Sequence, residues 1–290
     1  MSQITRRGLL GAAGTLSLTA CATHEIAKPE TEAYQGEIAF LHGVASGDPL
    51  PDRVIIWTRV TPRSGSGPIP VRYTLYDPAS PETVIFSGLV MASAVRDYCI
   101  KVDVTGLTPA TAYLYKFTAL TTGGEIASPE GRLKTTAVSG NIPVRLAVVS
   151  CANWQFGFFN AYEALSKEAD LDAVVHLGDY LYEYGIDAYG GEVGQKIDRL
   201  HDPVTEMVTL DDYRTRHAQY KTDPGLQAAH AAAPWICTWD DHESANNSYR
   251  TGAQNHNPEE NEGDWSDRKH AAIQAYFEWL PMREPVSGKI

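Results

Sequence analysis

Three short segments of this sequence end in side chains able to bind metals or move protons. In Ala173–Tyr184 (AVVHLGDYLYEY) an apolar run stops at Gly178-Asp179, and Tyr182 follows. Glycine permits a tight turn at the carboxyl end of a buried strand, where open α/β sheets hold their ligands. The two oxygens of Asp179 can bridge two cations. The phenol of Tyr182 becomes an anionic donor once a trivalent metal favours its deprotonated form. This element reads as half of a two-metal hydrolytic site. A satisfied aspartate at a strand end is the competing reading, and two other segments weigh against it. Arg145–Ala152 (RLAVVSCA) ends in Ser150-Cys151, and Trp235–Glu243 (WICTWDDHE) ends in acids and a histidine. Three consecutive strand ends carrying Cys, Asp/Tyr and Asp/Asp/His point to metal-dependent hydrolysis.

The elements that must hold these ends are legible as patterns. From Ile38 to Thr136 short β-branched and aromatic runs (Arg53–Val60, Val71–Tyr76, Val84–Val90, Tyr98–Val104) alternate with Pro, Gly, Ser and Asp, which predicts an all-β unit. Leu107-Thr108-Pro109 leading to Tyr113 looks like the tyrosine corner of a fibronectin-type sandwich. Thr135–Pro143 reads as a linker. Beyond it, strands at Arg145–Ser150, Leu171–Leu177 and Trp235–Trp239 alternate with helices near Asn160–Lys167, Leu210–Gln219, Gln227–Ala233 and His270–Trp279, a layered α/β pattern. The expected fold is an all-β fibronectin III/immunoglobulin-like sandwich followed by the first half of an α/β sandwich.

Composition bounds the partners. A 43% hydrophobic content in 290 residues suffices for one large core or two ordinary ones. The formal net charge of −12 disfavours nucleic acid and anionic membrane surfaces. Any phosphate must then be captured by local cationic charge. Cys99 and Cys237 read as packed thiols rather than a bridge.

The N-terminus reads as a processing segment over 1–22. Thr5-Arg6-Arg7-Gly8-Leu9-Leu10 resembles a twin-arginine signal, and the apolar stretch behind it is too short for a stable membrane span. Leu18-Thr19-Ala20-Cys21 resembles a lipobox that would lipidate Cys21, while Ala20-Cys21-Ala22 also fits ordinary cleavage. Both readings imply export, through the twin-arginine machinery, to the periplasm or cell surface. Lipidated Cys21 would add a membrane tether. Residues 23–37 read as a polar linker.

Phe40–Arg59 (FLHGVASGDPLPDRVIIWTR), Ser150–Trp154, His176–Tyr184 and Trp239–Glu243 together resemble the PhoD-type alkaline phosphatases, a branch of the calcineurin-like metallophosphoesterases. The resemblance covers nearly the whole chain. It implies a β-sandwich domain over 38–136 and a metallophosphoesterase domain over 144–290. It also implies hydrolysis of small phosphate esters and a mixed site of Fe3+ and Ca2+. Carried over, Asp179 is the bridging carboxylate, Cys151 and Tyr182 are iron ligands, and Asp241 is the next ligand. Asp240 is a weaker candidate for that shell. His242 would donate a hydrogen bond to the substrate phosphate or the leaving oxygen. Thiolate and phenolate suit iron, whereas calcium prefers carboxylate and carbonyl oxygens.

Family members continue past the equivalent of Ile290 with a late Gly-Asp-x-His-type segment. The expectation from that departure is an incomplete metallophosphoesterase half, inactive or nearly so as it stands. Two alternatives accompany the phosphatase reading. One is a phosphodiesterase or phospholipase D-like hydrolase; the other is a non-catalytic β-sandwich interaction protein carrying a dead half-domain.

Overall fold

The computed structural model describes residues 32–285 of the chain. The twin-arginine segment, Cys21 and most of the expected tether lie outside the described residues.

Ten strands come first: β1 (Ile38–Ala39), β2 (Val44–Gly47), β3 (Arg53–Arg59), β4 (Thr61–Pro62), β5 (Ile69–Asp77), β6 (Ser80–Ala92), β7 (Cys99–Thr105), β8 (Ala112–Thr121), β9 (Gly124–Ala127) and β10 (Gly131–Lys134). Strands and helices then alternate: β11 (Leu146–Val149), α1 (Asn160–Ser166), β12 (Ala173–His176), α2 (Gly191–Ile197), α3 (Leu210–Tyr220), α4 (Pro224–Ala232), β13 (Trp235–Cys237) and α5 (Trp265–Trp279). The alternating apolar residues of β3, β5, β7 and β8 explain the first group. Val54, Ile56, Ile100 and Val104 share one buried cluster with Val71, Leu75, Tyr115 and Phe117. The expected tyrosine corner closes: the Thr108 amide donates to the Tyr113 phenol oxygen at 2.9 Å.

One finding departs from the expected division at the linker. An antiparallel sheet runs β10-β8-β5-β6, with β9 on β8, but the second sheet runs β11-β12-β13-β2-β3-β7. The β-rich and α/β halves therefore share a sheet. The junction is one parallel pair, Trp235 opposite Gly47, with the Asp48 amide donating to the Trp235 carbonyl at 3.0 Å. A Cβ at Gly47 would lie 2.6 Å from that carbonyl, so only glycine allows the approach. From Glu32 onward the chain forms one compact unit. The expected tether also needs correcting at its end. Tyr34 is buried, takes the Leu120 carbonyl at 2.9 Å and bridges Thr121, so the chain is docked on the sandwich by this point.

The parallel part, β11-β12-β13, aims its carboxyl ends at one edge. One face, with Ala147, Val174, Trp235 and Cys237, packs on Tyr162 and Leu165 of α1 and Leu226 and Ala229 of α4. On the other, Leu146, Val148, Leu177 and Ile236 are 49%, 62%, 51% and 41% exposed. Register aligns Val148, Val175 and Ile236 across the three strands. Cys99 and Cys237 are buried free thiols, as expected.

Candidate metal centre

The loops after β11, β12 and β13 meet at the carboxyl edge of the parallel strands. The Cys151 amide donates to the Gly178 carbonyl at 3.1 Å and the Ala152 amide to the Asp179 carbonyl at 2.9 Å, so the first two loops are stitched together. Gly178 has φ 106°, and a Cβ there would lie 2.5 Å from the Asp240 amide nitrogen. The glycine is thus required twice, by its backbone conformation and by the third loop. Cys151 and Asp179 both adopt left-handed φ, at 60° and 54°. Such conformations cost about 1–3 kcal/mol each in non-glycine residues and cluster at functional sites.

Asp179, Asp241 and His242 bring their ligand atoms within 4.8 Å of one another. The Cys151 thiol donates to Asp179 Oδ2 at 3.4 Å, and the Tyr182 hydroxyl donates to the same oxygen at 3.2 Å. Asp179 Oδ1 is buried with no hydrogen-bond partner. A buried carboxylate oxygen without a donor needs a partner, which a cation or an ordered water would supply. The donor set of one thiol, one phenol, two carboxylates and one imidazole fits a metal with borderline or hard character. Electrostatics agree. Burial, reinforced by Asp241 and Asp240 against the pull of His242, raises the Asp179 pKa. Burial and the Asp179 charge push the Tyr182 phenol well up. Only added positive charge would make this group of acids comfortable in its ionised form.

Asp240 lies outside that group. Its side chain is exposed, its amide donates to Glu243 Oε2 at 2.8 Å, and it acts on Asp179 as nearby negative charge. Glu243 also accepts the Tyr180 amide at 2.6 Å, so it ties the second loop to the third. Burial lifts its pKa to about 7. His176 is fully buried, 3.0 Å from the Tyr162 hydroxyl and stacked on Trp235, a packed residue.

A family model described as PhoD-like phosphatase matches residues 146–289, and one described as PhoD-like phosphatase, N-terminal domain, matches residues 24–137. The chain belongs to the PhoD-like phosphatase family. It is 41% identical over 254 residues to alkaline phosphatase D of Bacillus subtilis (strain 168), a match covering 84% of this chain and 41% of that protein. The solved structure of PhoD superposes with a TM-score of 0.74 at 37% identity, covering 88% of this chain and 48% of that one. The chain thus spans less than half the length of either relative.

Against this family background, Glu183 is the residue that the sequence concealed. It is fully buried directly behind the cluster. Its Oε2 lies 2.7 Å from His242 Nδ1, and its Oε1 accepts the Asn246 amide at 2.7 Å and Asn255 Nδ2 at 2.8 Å. A carboxylate can only accept, so the neutral imidazole keeps its proton on Nδ1 and leaves Nε2 for ligand or substrate. Burial alone would lower the His242 pKa, but the bond to Glu183 and the charges of Glu183, Asp179 and Asp241 raise it. Tyr182 packs against the same ring, tilted by 32°, at 4.2 Å between centroids. Asn246 and Asn247 brace the loop through their backbone amides, the latter donating to Asp241 Oδ2. Asn153 caps a turn by accepting the Gln155 amide at 2.9 Å.

Proposed function

We propose that this chain carries the metal-binding part of an exported phosphatase that hydrolyses phosphate esters in the manner of alkaline phosphatase D. The observation that carries the proposal is the convergence of Asp179, Asp241 and His242 within 4.8 Å around an orphaned buried carboxylate oxygen. Membership of the PhoD-like phosphatases supports the ester-hydrolase class. Cys151, Asp179, Tyr182 and Asp241 would hold the metals, with Fe3+ and Ca2+ the ions that the family resemblance implies and Asp240 an outer acid. Bound there, the ions would supply Lewis acidity and a hydroxide nucleophile. The chain's own groups then have distinct tasks. Glu183 fixes the His242 ring by its Nδ1, which leaves Nε2 as the hydrogen-bond partner for a phosphate oxygen. Gly178 and Glu243 hold the loops at the spacing these donors need.

Export by the twin-arginine route, a lipid tether at Cys21, and a division into sandwich (38–136) and metallophosphoesterase (144–290) units joined through the shared sheet belong to the same proposal. The fibronectin-like reading of the sandwich is supported by the tyrosine-corner bond at Tyr113. The test is direct. After loading with ferric iron and calcium and desalting, the chain should retain iron and show a ferric charge-transfer band. Tyr182→Phe and Cys151→Ser should each shift or remove that band, and Asp179→Asn should release the metal. Paired assays on p-nitrophenyl phosphate and its bis-ester would separate monoesterase from diesterase. A wild-type chain that holds no iron would overturn the proposal.

A further inference from the structure

A cavity of about 510 Å³ opens beside the candidate centre and shares Cys151 and Tyr182 with it. Five further aromatic rings line it among small apolar and polar residues, an odd lining for a site that handles only inorganic phosphate. Phe159 and Tyr162 form buried walls, while Phe156, Phe158 and Tyr189 stand 47%, 62% and 58% exposed. The rings form a continuous series toward the centre. Phe156 meets Tyr189 at 4.8 Å, Tyr189 meets Tyr182 at 6.3 Å, and Tyr182 meets His242 at 4.2 Å. The loop that carries the two phenylalanines turns on Gly157, with φ 153° and ψ −175°. That conformation is open essentially to glycine alone. A Cβ at Gly157 would meet nothing within 4 Å, so the glycine serves the backbone path and not packing. One polar group among the walls is unsatisfied: Asn153 Nδ2 is buried without a partner.

We infer that this cavity receives the organic part of the ester, and that it selects flat apolar alcohols, aryl groups above all, over small polar ones. The inference rests on the phosphate-ester reading of the neighbouring centre and adds the substrate class. The geometry gives the reason. An ester whose phosphate sits at Asp179 and His242 must project its alcohol away from those groups. The side shared through Cys151 and Tyr182 offers aromatic faces suited to offset or edge-on ring contacts. Apolar concave walls with a few polar groups at one end are the usual form of a small-molecule site.

The experiment compares three probes on the full chain: methylphosphonate, phenylphosphonate and benzyl alcohol. On protein loaded with ferric iron and calcium, phenylphosphonate should bind about tenfold more tightly than methylphosphonate, because partial burial of one ring is worth that factor. Phe158→Ala combined with Tyr189→Ala should abolish the difference and leave methylphosphonate affinity in place. On metal-free protein, benzyl alcohol should shift the ring resonances of Phe156, Phe158 and Tyr189. Equal affinities for the two phosphonates would overturn the inference and spare the phosphatase reading. Failure of both phosphonates to bind, with benzyl alcohol still shifting the rings, would sink the phosphatase reading and leave an apolar pocket. Unmoved ring resonances would refute the pocket itself.

Discussion

Glu183 holds His242 through one oxygen and two amide donors through the other, so its loss should be felt at the ring that meets the phosphate. A hydrogen bond to a charged group is worth about 1.5–3 kcal/mol, so a misoriented ring costs about tenfold or more in phosphate affinity. Glu183→Gln should weaken phosphate binding to the metal-loaded chain by that factor, and nitrogen NMR of His242 should show the Nδ1–H tautomer losing its dominance. Unchanged affinity and tautomer would show that the ring needs no such support. Gly178→Ala is a second expectation at this scale. It should block the approach of Asp240, with loss of metal retention before loss of the fold, read by metal content and circular dichroism together. The candidate ligands themselves were legible in the sequence because each ends an apolar run, and the end of a strand is a predictable place. Glu183 was not. An acid between two tyrosines looks the same in sequence whether it faces water or a histidine 59 positions away. Asp241 ranked ahead of Asp240 only through the family resemblance, since the turn after β13 decides which one points inward.

Strands rich in valine, isoleucine and tyrosine were readable, and β3, β5 and β7 fall within a residue or two of their expected bounds. β2 was not anticipated, because Val-Ala-Ser-Gly has little strand propensity and is held by its neighbours on both sides. The two glycines of α2 hid that helix in the same way, since glycine lowers helix propensity and tertiary contact must supply the rest. α4 shows how one side chain governs an element. Asp223 caps its first turn by accepting the Gly225 and Leu226 amides at 2.9 and 3.1 Å, and also pairs with buried Arg199 at 2.7 Å. The guanidinium lies 3.5 Å over the Trp154 ring and has little water to fall back on. Removing one partner of a buried pair costs about 3–5 kcal/mol, and a lost cap about 1 kcal/mol more. Asp223→Ala should therefore lower the urea midpoint severely. Asp223→Asn, which keeps the capping oxygen, should cost distinctly less. Equal losses in the two variants would mean that the cap contributes little beside the ion pair.

At the scale of the whole molecule the sequence suggested two bodies, whereas the structure runs one sheet through both. The joint is a single residue pair between Gly47 and Trp235, too distant in sequence for any local signal. Helices packed on the shared sheet bury several histidines in uncharged form. Burial, aided by Arg59 and Lys221 for His42, by Arg216 for His201 and by Lys221 for His217, lowers each of these three pKa values to about 3. Burial takes His176 to about 4 and His230 well below its ordinary value. Each ring would bind a proton near pH 6.5 in the unfolded chain but stays neutral in the folded one. Between pH 6.5 and about 4 the unfolded state therefore binds more protons, and stability must fall as the pH falls. Each such ring contributes a loss of ~1.4 kcal/mol per pH unit once the pH is below 6.5. The protein should be markedly less stable to urea at pH 5.5 than at pH 7.5. His217 offers the cleanest check. Both of its ring nitrogens lack partners, and it lies nearly parallel to Trp279 at 6.2 Å. Phenylalanine can occupy that stack without losing a hydrogen bond, so His217→Phe should change stability at pH 7.5 by no more than about 1 kcal/mol. It should also remove one proton's worth of the acid slope, making the variant more stable than the parent at pH 5.5 by ~1.4 kcal/mol relative to their difference at pH 7.5. Parallel pH profiles for the two proteins would show that His217 does not hold its neutral form in the folded state, and that the acid lability has another source.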